Sequence, residues 1–307
     1  MSQQETMSLR KFKDKFPDED ACCKHMFQIR WPEGYRCPKC GHDQFYYIGT
    51  RKLYECKACR YQTSVTAGTI MHKSHTKLDV WFLAIYLTAH DKRGIAARKL
   101  EQDIEVSYPT AWLMLHKIRK AMGDRDAYYL LAGIVELDDA FFGGPTEGGK
   151  RGRGTDKTKA LIGLSLDKQG RPQYIKASVI ENLRASTLAD TVKGLIQQGS
   201  VISSDLHRSY PCLEKEGYTV YSKEFNPNEN PDHLKWLHTA ISNLKTLIAG
   251  TYHGLDSKHL QAYFNEYCYR FNRRKFKGQL FNRLLNACIG TTTITYHQLV
   301  DGVPVLT

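Results

Sequence analysis

An α+β multidomain chain is the fold class this sequence predicts: a small cysteine-bearing module, a helical segment and a mixed α/β core. Three observations carry the prediction. Four cysteines fall in two close pairs, Cys37 with Cys40 and Cys56 with Cys59. Apolar residues then recur at helical spacing between 76 and 127. From 130 onward, short apolar runs come first and helical stretches follow.

Residues 1–35 read as a helical segment anchored by Phe12, Phe16, Met26 and Phe27 and ending at Trp31-Pro32-Glu33-Gly34. The cysteine pairs occupy a β-rich module at 36–72. Their spacing, C-x2-C-x15-C-x2-C, supplies four thiolates to one tetrahedral Zn²⁺, so Cys37, Cys40, Cys56 and Cys59 are the expected ligands of a zinc ribbon. With every position filled by protein, such a zinc is architectural, and His25 and His42 read as surface residues. In the next segment, 73–128, Thr76 with Asp79 resembles a capping box. The run 80–87 is apolar all round, as in a buried helix. Stretches 94–101 and 107–122, broken at 103–106, read as a helix-turn-helix with Ser107 as cap and Pro109 in the first turn. Ala111, Leu115, Ile118 and Met122 form its inner stripe. Lys117, Arg119 and Lys120 mark a basic face suited to a DNA major groove, a solvated helical hairpin being the alternative.

The core is expected over 129–295, with a tail at 296–307. Runs 134–137, 160–166, 174–179 and 201–204 read as strands, with a helix at 187–196 crossing between the third and fourth. Leu237, Ile241, Leu244 and Ile248 repeat at helical spacing, as do Leu260, Tyr263, Phe264, Tyr267, Cys268 and Phe271. A three-strand meander, a helix and a fourth strand is the order of an RNase H-like fold; periodicity leaves other mixed α/β layouts open. Two strands end in carboxylates, Asp138 and Asp205, which lie 67 residues apart. Side by side, such strands bring both acids within reach of one divalent ion, and hard cations such as Mg²⁺ suit phosphoryl chemistry. Glu136 shares the face of Asp138, whereas Asp139 alternates to the other face and reads as structural.

Charge points to a polyanionic partner. Lys and Arg number 44 against 32 Asp and Glu, a net charge of +12 and a pI near 9.2. Lys150, Arg151, Arg153, Lys157 and Lys159 lie in a Gly-rich stretch after the first carboxylate strand. Arg270, Arg273, Arg274, Lys275 and Lys277 form a denser run and suit phosphate contacts. His207, His238 and His253 are candidates for positioning water or phosphate. The opening lacks a charged-then-apolar leader, and 80–87 falls far short of the ~20 apolar residues of a bilayer span. The other cysteines, Cys22, Cys23, Cys212, Cys268 and Cys288, read as reduced, so a cytoplasmic protein is expected.

Several blocks together resemble a known group. Residues 30–41, RWPEGYRCPKCG, and 56–70, CKACRYQTSVTAGTI, are similar to the zinc-ribbon end of prokaryotic insertion-sequence transposases related to Merlin elements. Blocks 135–144 (VELDDAFFGG) and 204–210 (SDLHRSY) match the segments bearing that group's two catalytic aspartates, here Asp138 and Asp205. Blocks 238–245 (HTAISNLK), 250–253 (GTYH) and 269–274 (YRFNRR) match its third-ligand region and the helix beyond. The likeness spans residues 17 to 290. It implies an RNase H-like core that uses two divalent ions, Mg²⁺ or Mn²⁺, to cut and rejoin DNA at element ends. Many acidic transposases place Glu where this chain has Asn243, and a branch of the group carries Asn there with a nearby Lys, here Lys245. Asn243 is thus the expected third ligand, with Glu266 the alternative, and His253 stands first among the histidines. Implied partners are double-stranded DNA, at terminal inverted repeats and target, and further copies of the chain, since joining two ends calls for at least two subunits. Such a protein would work at the nucleoid. The rival readings are a domesticated DNA-binding regulator and a nuclease that cuts without joining.

Overall fold

The structure, a computed structural model, describes residues 7–143, 157–206, 209–224, 226, 229–230, 232–253 and 255–301. Along the chain the elements are α1 (Leu9–Lys15), α2 (Glu19–Arg30), β1 (Phe45–Ile48), β2 (Leu53–Cys56), β3 (Gln62–Thr63), α3 (Leu78–His90), α4 (Ala97–Ile104) and α5 (Tyr108–Ala127). There follow β4 (Ile134–Phe142), β5 (Thr158–Leu166), β6 (Pro172–Ile180), α6 (Ala185–Leu195), β7 (Val201–Ser204), β8 (Thr219–Ser222), α7 (Lys235–Thr251), α8 (Leu260–Asn272), α9 (Leu280–Gly290) and α10 (Tyr296–Val300). Among the described residues no helix is long and apolar enough to cross a membrane.

Two units result, Met1–Arg125 with Phe276–Leu306, and Asp126–Lys275. The core expected over 129–295 therefore ends earlier, because α9 packs on α3. Phe281 of α9 joins a cluster of rings, 5.4 Å from Phe12 between centroids, while Phe12 lies 4.5 Å from Tyr86 and Phe16 lies 5.0 Å from Phe82. Backbone bonds fasten the same junction: the Ile70 amide donates to the Cys288 carbonyl. Asp18 caps α2 by accepting from the Ala21 amide at 2.8 Å, and Glu19 and Asp20 complement the helix dipole. The Thr76–Asp79 capping box of α3 does not form. Glu19 takes its place, accepting from the Leu78 amide at 3.0 Å while Lys52 holds its other oxygen at 2.6 Å.

In the second unit the sheet order is β6-β5-β4-β7-β8. β4, β5 and β6 are antiparallel neighbours, whereas β4, β7 and β8 run parallel. This is the RNase H-like topology, with β8 an added strand that the sequence reading lacked. Alternation along β4 sends Val135 and Leu137 to the side covered by Leu188 and Val192 of α6. Ala140 and Phe142 go to the side covered by Leu237 and Leu244 of α7 and Phe264 of α8.

Candidate active site

Register explains why two remote aspartates meet. In the parallel pair β4–β7, Ile134 lies opposite Val201 and Leu137 opposite Ser204. The next residues are Asp138, midway along β4 where its pairing with β7 stops, and Asp205, just past the end of β7. The two acids so stand side by side at the carboxyl end of the parallel pair, where open α/β sheets place their sites. One oxygen each from Asp138, Asp139 and Asp205 lie within 4.8 Å of one another. Two metal–oxygen bonds of ~2.4 Å span that separation, so the group fits a hard divalent cation. Asp139 keeps its alternate place on β4, opposite Leu161 of β5, yet its carboxylate also reaches the group, and its amide donates to Asp138 Oδ1 at 2.8 Å.

α7 supplies the next layer. His238 Nε2 lies 3.4 Å from Asp138 Oδ2. Its pKa is raised by that contact against the opposing effect of burial, with the charges of Asp138, Glu136 and Asp205 adding to the rise. Glu136, buried, accepts from the Leu237 amide at 2.8 Å; burial raises its pKa, and the amide and His238 counter this in part. Asn243 stands five residues beyond His238, about 140° round the helix, on the exposed side. His238 is thus the α7 side chain in contact with the acids. Lys245, seven residues on, returns to the His238 stripe, its Nζ 5.8 Å from the Phe142 ring centroid. His253 is exposed beyond the far end of α7, separated from His238 by about 20 Å of helix. Glu266 is fully buried in α8, accepting from Arg270 Nη2 at 2.7 Å, from Arg270 Nε at 3.1 Å and from the Tyr252 hydroxyl at 2.9 Å.

The cysteine ribbon is assembled by two matching turns. Cys37 and Cys56 amides donate to the His42 and Tyr61 carbonyls, and each second cysteine is followed by a left-handed residue, Gly41 at φ +75° and Arg60 at φ +58°. All four Sγ atoms lie within 4.8 Å, with Cys37–Cys59 at 3.7 Å and Cys40–Cys56 at 3.6 Å. Sulfurs around a tetrahedral zinc stand ~3.8 Å apart, so the cluster fits that ion. Burial works to raise the Cys37 thiol, but the Cys40 and Lys39 amides and the neighbouring thiols outweigh it and lower its pKa to about 6. The ring cluster of Phe27, Trp31, Tyr35, Phe45 and Tyr54 backs the ribbon.

The expected basic faces fare differently. Lys117 and Arg119 are buried, the former 6.0 Å from the Trp81 ring centroid, and Lys120 pairs with Asp124 at 2.5 Å. α5 is enclosed through its middle, so its basic residues do not form an open face. Its first turn stays open instead: Ser107 and Tyr108 are exposed, and the Arg98 guanidinium sits 4.4 Å from the Tyr108 ring centroid. Arg273 pairs with Asp126 at 2.7 Å and packs on Tyr269, while Arg274 donates to the carbonyls of Pro172, Gln173 and Phe271. With Arg270 on Glu266, only Lys275 and Lys277 of that run stay exposed. Lys150, Arg151, Arg153 and His207 lie outside the described residues.

Two family models match the chain: an ISXO2-like transposase domain over residues 130–272 and a transposase zinc-ribbon domain over residues 17–62. An uncharacterized protein in transposable element ISH50 of Halobacterium salinarum is 27% identical over 216 residues, spanning 68% of this chain and 69% of the relative. An uncharacterized transposase-like protein of Haemophilus influenzae is 21% identical over 104 residues, 33% of this chain and 84% of the relative. Among solved structures, the Mos1 mariner paired end complex with Mn aligns at 12% identity and a TM-score of 0.23, covering 64% of this chain and 79% of that one. With its ribbon and its core each matched in this way, the chain carries the two domains of insertion-sequence transposases of the zinc-ribbon type and is similar to them along both.

Proposed function

We propose that this transposase binds the terminal inverted repeats of its own element and catalyses metal-dependent cleavage and strand transfer of DNA. The observation that carries the reading is the convergence of Asp138, Asp139 and Asp205 where the parallel pairing of β4 with β7 ends. Asp138 and Asp205 would hold the divalent ion, Mg²⁺ or Mn²⁺, with Asp139 alongside. Held there, a divalent ion would supply Lewis-acid activation of the attacking oxygen and charge stabilisation of the leaving one in in-line phosphodiester chemistry. His238, in contact with Asp138, would orient that carboxylate and exchange a proton at Nε2. Lys245, on the same stripe of α7, offers its ammonium to a phosphate.

Zinc held by Cys37, Cys40, Cys56 and Cys59 would serve the ribbon's shape alone. DNA reading falls to the open end of the helix-turn-helix, since helices of this kind contact bases through their N-terminal residues. Arg98, Ser107 and Tyr108 are the side chains available there. Joining two element ends requires at least two copies of the chain on one DNA complex, at the cytoplasmic nucleoid. The test incubates the protein with labelled element-end DNA and Mg²⁺. Cleaved and joined products support transposition, cleavage without joining makes it a nuclease, and binding without cleavage makes it a regulator. Asp138→Asn should lower cleavage by about 10³-fold while leaving DNA binding within ~2-fold. Loss of binding in that variant would refute the division of labour between ribbon, helices and core.

A further inference from the structure

The first turn of α7 is tied to both carboxylate-bearing strands, and neither tie is needed to make a helix. Leu234 is the N-cap residue of α7 and has no side chain able to cap it. A cap from Ser, Asp or Asn at that position would satisfy the first-turn amides locally. Instead Glu136, buried on β4 and 101 residues away in sequence, accepts from the Leu237 amide at 2.8 Å. Placing a carboxylate there carries a desolvation cost that a local cap would avoid. On the other side, His233 Nε2 lies 3.1 Å from the Ser204 carbonyl oxygen. A carbonyl can only accept, so that nitrogen carries the proton. Glu136 lies two residues before Asp138, and Ser204 lies one before Asp205.

Between these ties sits Leu234, buried, at φ +53° and ψ +22°. A left-handed leucine is uncommon and persists where its surroundings over-determine it. The residue after the tied Leu237 amide is His238, whose Nε2 meets Asp138. We propose that Glu136 and His233 are positioning residues: two tethers that span β4 and β7, fix the start of α7 and so hold His238 against the Asp138–Asp205 pair. This rests on the metal-dependent reading above and names the parts that set its geometry.

The experiment measures Mn²⁺ affinity of the full-length chain by electron paramagnetic resonance titration, with the His238 imidazole nitrogen resonances as a second readout. Glu136→Ala and His233→Ala are expected to weaken Mn²⁺ binding about 10–100-fold, the range found when groups that orient metal ligands are removed. Both should also shift the His238 resonances. Glu136→Gln keeps an oxygen for the Leu237 amide and should stay within ~3-fold of wild type. Ile248→Ala loosens the far end of α7, so it should lower stability and leave Mn²⁺ affinity unchanged. His233 is half-buried, so its variant carries the test should the Glu136 one fail to fold. Wild-type Mn²⁺ affinity and unmoved His238 resonances in the Ala variants would overturn the proposal. So would a Glu136→Gln loss as large as that of Glu136→Ala, which would make Glu136 a charge at the metal. If Asp138→Asn and Asp205→Asn leave Mn²⁺ binding intact, the metal reading itself fails and the tethers have nothing to position.

Discussion

Glu266 is sealed in the core and matched to Arg270 by two hydrogen bonds, whereas Asp138, Asp139 and Asp205 gather with one oxygen each within 4.8 Å of one another. A buried carboxylate with its own cation has its charge compensated within the fold, which leaves it little to give a metal. Glu266→Ala should therefore cost about 3–5 kcal/mol in urea unfolding, the usual effect of orphaning one half of a buried pair, while Mn²⁺ affinity stays put. A fall in Mn²⁺ affinity with stability unchanged would reverse that assignment. The same logic separates His238 from Asn243. His238→Ala should lower cleavage of element-end DNA about 10–100-fold, and Asn243→Ala less than ~3-fold; the opposite ranking would restore Asn243. The aspartate pair was legible in sequence because each residue ends an apolar run that only a strand explains. The third group was not, because it depends on the rotation of α7 over the sheet. Sequence blocks place His238 and Asn243 five residues apart, and the inward packing of Leu237, Ile241 and Leu244 shows that they leave α7 in different directions, with His238 meeting Asp138.

Edge strands need protection, and α8 gives it to β6. Asn272 accepts from the Ile175 amide and donates to the Ile175 carbonyl, at 2.8 and 3.1 Å. Gln261 accepts from the Val179 amide at 2.8 Å and donates to the Ala177 carbonyl at 3.0 Å. Arg274 continues the series at Pro172 and Gln173. Side chains thus occupy the positions of a sixth strand and blunt an edge that would otherwise template pairing with another chain. Gln261→Ala and Asn272→Ala should each cost about 1–3 kcal/mol in chemical denaturation, the cost of leaving buried backbone groups unsatisfied, and should raise aggregation on mild heating. An Asn272→Ala protein as stable and as monodisperse as wild type would show that water replaces the amide without loss. This ladder accounts for the misread basic run. Arg270, Arg273 and Arg274 look like a solvated cationic patch in sequence, since only the fold shows Arg274 on the β6 carbonyls and Arg273 on Asp126, with Arg270 turned back to the buried Glu266. The runs of β4 to β7 and α6 were readable from period and flanking turns. β8 was not: it is as short as β7 but, as Thr-Val-Tyr-Ser, lacks the paired aliphatic residues that open β7.

At the scale of the molecule, +12 is a net quantity that does not say which charges are available to DNA. Lys117, Arg119, Arg270, Arg273 and Arg274 are engaged within the fold, leaving Arg98, Lys275 and Lys277 among those on the surface. Chain order is equally indirect. The sequence after α8 reads as the end of the core, yet Phe276–Leu306 folds with the first unit. The reason is hydrophobic. α9 carries Phe281, Leu284, Leu285 and Cys288 on one side, and Phe12, Phe16, Phe82 and Tyr86 present the rings that Phe281 meets. Helical periodicity announces such a stripe without naming its partner, so the return of the chain was invisible before the fold. Phe281→Ala should destabilise the first unit by about 3–5 kcal/mol, the cost of emptying an aromatic site in a packed core. Urea unfolding followed by tryptophan fluorescence in a Trp236→Phe background reads this directly, because the other three tryptophans, Trp31, Trp81 and Trp112, belong to that unit. Mn²⁺ affinity, which depends on acids of the second unit, should remain within ~2-fold in buffer without urea. If Mn²⁺ binding instead weakened with the loss of fluorescence stability, the C-terminal segment would be serving the acid site, and the division at Lys275 would have no energetic meaning.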